Sequence, residues 1–172
     1  YSKKANIPER IALAYLNKGD GYRNLGDFKS ALLYCDTASF YAAQTGNTDR
    51  QARIYDIISG IYLDQRQFAT AGLFLNKAME LYKKDNNILM QGQVYDDFGI
   101  IYHQTGKLDS ALIFRKMAIR IGQSAKDYKN LSGYYFGAAN VYSDQKRYKE
   151  AEAYAAKSLN YARQQENNGQ LA

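Results

Sequence analysis

One proline, one cysteine, one histidine and no tryptophan occur in 172 residues. A lone cysteine excludes an internal disulfide, and a single histidine leaves no cluster from which to build a structural zinc site. No apolar run approaches the roughly 18–20 residues that a membrane-spanning helix needs, and no signal peptide is visible. One proline beside 13 glycines and many alanines suits closely packed helices better than a sheet. Tyrosine, by contrast, is abundant at 17 residues, in a chain that is 46% apolar and 23% charged, enough to build a core. The length predicts one domain, or two small ones. A net charge of +6 permits contact with nucleic acid or a membrane without demanding it. The chain opens on Tyr1 and not on Met, which predicts a piece of something longer.

Shifted by 40 residues, the sequence matches itself. Tyr15, Tyr55, Tyr95 and Tyr135 form one ladder, and Tyr22, Tyr62, Tyr102 and Tyr142 a second. Phe28, Phe68, Leu108 and Tyr148 form a third, each followed three residues on by Ala31, Ala71, Ala111 and Ala151. Tyr34, Phe74, Phe114 and Tyr154 then precede Ala38, Ala78, Ala118 and Ser158. Within a unit the spacing is helical: Tyr55, Ile58 and Tyr62 share one face, and Phe68, Ala71, Leu75, Ala78 and Tyr82 another. Gly26 and Gly106 mark inner turns, Asp85-Asn86-Asn87 ends a unit, and Thr48 with Gln51 has capping-box spacing. Pro8 suits the first turn of the first helix. Each unit therefore reads as helix A, tight turn, helix B and a longer loop. The small ladders mark close helix crossings and the aromatic ladders the packing on either side. A lone hairpin cannot bury its apolar face, so neighbours must share the core.

Segments such as Gly26-Asp27-Phe28-Lys29-Ser30-Ala31-Leu32 and Gly106-Lys107-Leu108-Asp109-Ser110-Ala111-Leu112 resemble the tetratricopeptide repeat. The resemblance runs over the whole chain, four times, and implies an all-α, right-handed solenoid of four antiparallel helix-turn-helix repeats. The repeats are expected near 12–45, 52–85, 92–125 and 132–165 of a single array over 1–172. Residues 1–9 are then the tail of a preceding repeat, with Tyr1 in its helix B, and 166–172 the start of a following helix, opened by Leu171-Ala172. The family's unit has 34 residues and a closing proline, so a 40-residue unit without one implies a longer helix B or loop. Lys18 stands in the register of Ile58, and Arg115 in that of Leu75, where packing is expected to be poorer.

The resemblance places helices A on a concave face and helices B on a convex one. On that division helices A carry three bases against six acids, and the turn-plus-helix-B segments 14 bases against seven acids. A clamp for an anionic peptide end is therefore not expected. The candidate groove residues are Arg53, Asp56, Gln93, Asp96, Asp97, His103, Phe136 and Asn140, facing a neutral or basic protein or peptide segment. Lys83, Lys84, Lys107, Arg115, Lys116 and Arg120 belong to the basic outer face, which acids interrupt. Nucleic acid is accordingly not the expected partner.

Catalysis is not expected. His103 lies on the exposed side of helix A, and Cys35 sits on a packing stripe as a small apolar residue. Gly99 to Lys107 lacks the spacing and the Ser or Thr of a phosphate loop. Asp96-Asp97 are helical neighbours that point apart. No cofactor or metal is implied. Two readings follow: a protein-interaction scaffold, or the sensory or regulatory region of a bacterial signalling protein, which 40-residue arrays of this composition resemble. Cytoplasm and periplasm both fit.

Overall fold

The computed structural model describes the backbone of residues 2–169 and the side chains of residues 7–165. It comprises α1 (Ser2–Asn24), α2 (Phe28–Thr45), α3 (Thr48–Asp64), α4 (Phe68–Lys84), α5 (Ile88–Gln104), α6 (Leu108–Ser124), α7 (Tyr128–Asp144) and α8 (Tyr148–Gly169). Among the described residues there is no strand, and the all-α repeat of helical hairpins stands as expected.

The units are built more regularly than a long closing loop would allow. Helices α3 to α7 have 17 residues each, and the links between them have three, so two helices and two links fill the period. The length beyond the usual unit lies in both helices. Of the odd-numbered helices, here the A helices, α3, α5 and α7 start four residues earlier than the ladders place them because an Asx residue caps each. Asn47 accepts from the Arg50 N–H at 2.9 Å, Asn87 from Met90 at 3.3 Å and Asp127 from Asn130 at 3.4 Å. Thr48 is therefore not the cap, and its hydroxyl donates to Asp85 instead at 2.5 Å.

Each A helix stops two residues after its second ladder tyrosine. The N–H groups of Asp27, Gln67, Lys107 and Arg147 donate to the carbonyls of Tyr22, Tyr62, Tyr102 and Tyr142 at 2.8–3.0 Å. This closure needs a left-handed residue just before the donor. Gly26 and Gly106 fill that place at φ +78 and +75, but Arg66 and Lys146 fill it at φ +59 and +61.

The ends depart from expectation. α1 runs unbroken from Ser2 through Pro8, so residues 2–9 belong to the first A helix itself. Pro8 lies inside that helix rather than in its first turn; this close to the helix start it forgoes one intrahelical bond, to the carbonyl of Lys4. Residues 166–169 continue α8 and do not open a new helix. Tyr1, Leu171 and Ala172 lie outside the described residues.

The helices group into two compact units, Tyr1–Asn86 and Asn87–Ala172, each of two hairpins. In the first, Ala12, Leu16, Ala31, Cys35, Ala38, Ile54, Ile58 and Ile61 form the core. In the second, Ala111, Leu112, Ala118, Ile119, Leu131, Tyr134, Tyr135, Ala138 and Val141 do so. The ladder alanines 31, 71, 111, 38, 78 and 118 are fully buried, as close crossings require. The aromatic ladders interleave across each hairpin. Tyr22, Tyr34, Tyr15 and Tyr41 follow one another at centroid distances of 5.1, 6.0 and 6.1 Å. Tyr142, Tyr154, Tyr135 and Tyr161 do the same at 4.9, 5.5 and 5.5 Å. Tyr135 and Tyr142 are buried, whereas Tyr15, Tyr22, Tyr55, Tyr62, Tyr95 and Tyr102 are half-buried.

Candidate interaction faces on the A helices

The eight candidate groove residues divide between the units, Arg53 and Asp56 in the first and the other six in the second. On α3, Arg53 is exposed and 4.0 Å from Asp49 one turn away. Asp56 offers no open carboxylate. Its Oδ2 accepts from the Tyr82 hydroxyl at 2.5 Å, and Oδ1 is buried without a partner. Burial pushes this carboxyl up from 3.8 to about 7, against the pull of Tyr82 and Arg53. Ser59, one turn on, also has a buried hydroxyl without a partner. Arg23 crosses from α1 to pair with Asp64 on α3 at 2.7 Å, passing over Gly60, where any Cβ would strike its guanidinium.

The second unit repeats this bridge 80 residues later. His103 Nε2 on α5 lies 2.6 Å from Asp144 Oδ2 on α7. Deeper in this unit, Arg115 departs from its place on the outer face. It stands on α6, yet only 7% of it is exposed, and its guanidinium pairs with Asp96 on α5. Two glycines make room. A Cβ on Gly99 would come within 2.9 Å of Arg115 Cδ, and one on Gly137 would collide with the guanidinium. Burial raises the Asp96 pKa, and the charge and hydrogen bond of Arg115 oppose that rise. The Arg115 Nε and the Tyr134 hydroxyl are buried without partners. Sequence register alone put Arg115 outside, because its carboxylate lies 19 residues away and its glycines on two other helices. A cation on an otherwise apolar stripe was the available signal.

What stays open on α7 is mostly uncharged. Phe136 is 58% exposed, and among the described residues no aromatic ring stacks on it. One turn before it, Gly133 has no atom within 4 Å of where a Cβ would stand; one turn after it, Asn140 is exposed. On α5, Gln93, Asp97 and His103 are half-buried. Among the described residues no group of three or more His, Cys, Asp or Glu is placed to hold a metal ion, and no helix is long and apolar enough to cross a membrane. Burial pushes the Cys35 thiol up to about 12, which leaves it unreactive.

The tetratricopeptide repeat model matches residues 90–164. Among solved structures the chain is similar to BtubC from P. vanneervenii, at 20% identity and a TM-score of 0.77 over 92% of this chain and 66% of that one. It is similar to aspartyl phosphate phosphatase F from Bacillus subtilis, at 16% identity and a TM-score of 0.84 over 91% of this chain and 41% of that one. It is also similar to MamA, at 18% identity and a TM-score of 0.65 over 97% of this chain and 87% of that one. The chain thus spans less than two thirds of the first two, and all three likenesses concern the fold. No curated protein matches it in sequence. Residues 90–164 thus match the model of the tetratricopeptide-repeat family, and the first unit is built of helical hairpins of the same kind.

Proposed function

We propose that the chain is a protein-interaction scaffold whose A-helix faces hold a peptide or partner domain. The observation that carries this is Phe136, a large apolar side chain left bare on a helix whose neighbouring charges are already paired. Asp96 is paired with Arg115 and Asp144 is hydrogen-bonded to His103; in the first unit, Asp56 is engaged with Tyr82. Of the neutral or basic segments that the sequence allows, this favours the neutral one. An aromatic or aliphatic side chain would rest on Phe136 while the Asn140 amide meets the ligand backbone. Gln93 and Asp97 flank the same face in this reading, and Arg53 serves the first unit.

Selection of displayed peptides on the chain tests this. Uncharged segments with one large apolar residue are expected, and Phe136→Ala should weaken them about tenfold or more, with the circular dichroism spectrum unchanged. Peptides that bind Phe136→Ala as well as the parent would refute the site.

A second reading, the sensory or regulatory region of a bacterial signalling protein, draws support from the likeness to the Bacillus subtilis phosphatase, of which the chain spans only 41%. A kinase or helix-turn-helix output domain in the parent reading frame would carry it.

A further inference from the structure

The α6 stripe Leu108, Leu112, Arg115, Ile119 and Gly122 runs along the α7 side of the second unit. Arg115 reaches Gly137 there, and a Cβ on Gly122 would stand 2.9 Å from Leu131. Forty residues on, the same positions of α8 are Tyr148, Glu152, Ala155, Leu159 and Ala162. Leu159 is 52% exposed where Ile119 is 6% exposed; Tyr148, Glu152 and Ala155 are exposed too, and Ala162 is half-buried. At the other end of the chain, α1 shows the converse face. Ile54, Ile58 and Ile61 of α3 are buried, but their counterparts Ala14, Lys18 and Gly21 are exposed, in line with exposed Ile7 and half-buried Ile11. A shallow depression of about 310 Å³, lined by Ile7, Arg10, Ile11 and Ala14, lies on that face.

We propose that these faces are mates: α8 of one copy of the chain seats α1 of a second copy, head to tail, as α6 seats α7. Contacts already made within each unit fix the register. Ser39 bonds to Gln51 at 3.0 Å, and the matching pair is Leu159 with Ile11, which sets the leucine at the depression. Gln123 donates to the Tyr135 hydroxyl at 2.8 Å, and the matching pair is Arg163 with the Tyr15 hydroxyl. Gly122 against Leu131 becomes Ala162 against Ile11. The charges agree as well. Glu152 is an acid on the α8 stripe, and Lys18, a base on the α1 stripe, comes within about a turn of it in this register. A like pair, Lys129 with Arg10, falls where Glu9 meets Arg50; both are exposed, where screening makes the repulsion small. A heterologous contact of this kind joins unlike surfaces, so each copy keeps one free end.

Sedimentation velocity over a concentration series tests this. The parent chain should show species larger than 19.5 kDa that grow with concentration. Leu159→Asp and Ala14→Asp, both at exposed sites, should each stay monomeric with an unchanged circular dichroism spectrum. Mixed in equal amounts, the two variants should give a species of twice the monomer mass and nothing larger, because each supplies the face the other lacks. Lys18→Glu should weaken association and Glu152→Lys, combined with it, restore it. A parent chain that remains monomeric, a variant that still self-associates, or a mixture that stays monomeric would overturn the proposal.

Discussion

At the scale of single residues, the second unit holds one interaction whose loss should be costly. Arg115 and Asp96 are a buried ion pair set in a notch formed by two glycines. Removing one partner of such a pair strands the other, whereas removing both can be nearly neutral. Asp96→Ala should therefore destabilise the chain by about 3–5 kcal/mol in urea unfolding, and Asp96→Leu with Arg115→Leu should cost clearly less. In the first unit the burial of Asp56 outweighs the pull of Tyr82 and Arg53, so it acts on the proton instead. Its carboxyl titrates near 7 in the folded chain against 3.8 ordinarily, so the folded state binds that proton more tightly than the unfolded chain does. Stability from this group is complete below about pH 4 and declines as pH rises towards 7. Unfolding midpoints measured from pH 4 to 8 should show that decline in the parent chain, and Asp56→Asn should flatten it.

At the scale of helices, the turns set a second expectation. Arg66 and Lys146 occupy a left-handed conformation that costs an L-residue about 1–2 kcal/mol and that their counterparts Gly26 and Gly106 adopt freely. Replacement by glycine also loosens the unfolded chain, so the net gain is smaller, about 0.5–1 kcal/mol for Lys146→Gly in thermal or urea unfolding. Gly26→Ala should shift stability the other way. The hairpins themselves were legible in the sequence because the tyrosine and alanine ladders recur without insertion, and each rung reports one packing position. Helix starts were less so: Thr48 with Gln51 resembled a cap in one unit, while the true caps, Asn47, Asn87 and Asp127, recur every 40 residues. The candidate face was only half legible. Register can say that Asp56 and Asp96 lie on A helices, but not that a tyrosine from α4 and an arginine from α6 reach back to them. Such pairings cross between helices of different register, where a 40-residue shift has nothing to align.

At the scale of the whole chain, a net charge of +6 is an uncertain guide to its partner, because charge counted in sequence is not charge presented. Arg115 is withdrawn from the outer face to pair with Asp96, and the Asp144 carboxylate is hydrogen-bonded to His103 within the second unit. Several remaining cations lie over rings, as Lys77 does over Phe74 at 4.9 Å and Lys157 over Tyr135 at 5.6 Å. Their stems cover apolar surface while their charge is partly spent on the aromatic face. A partner held through Phe136 on an internally balanced face should therefore bind with little dependence on salt. Affinity measured by calorimetry from about 50 to 500 mM salt, a range over which the screening length falls from about 14 to 4 Å, should stay nearly constant. A basic segment gripping carboxylates would weaken over that range, and a nucleic acid would weaken by orders of magnitude as its counterions compete. Either slope would show that exposed charge, and not the bare aromatic ring, selects the partner.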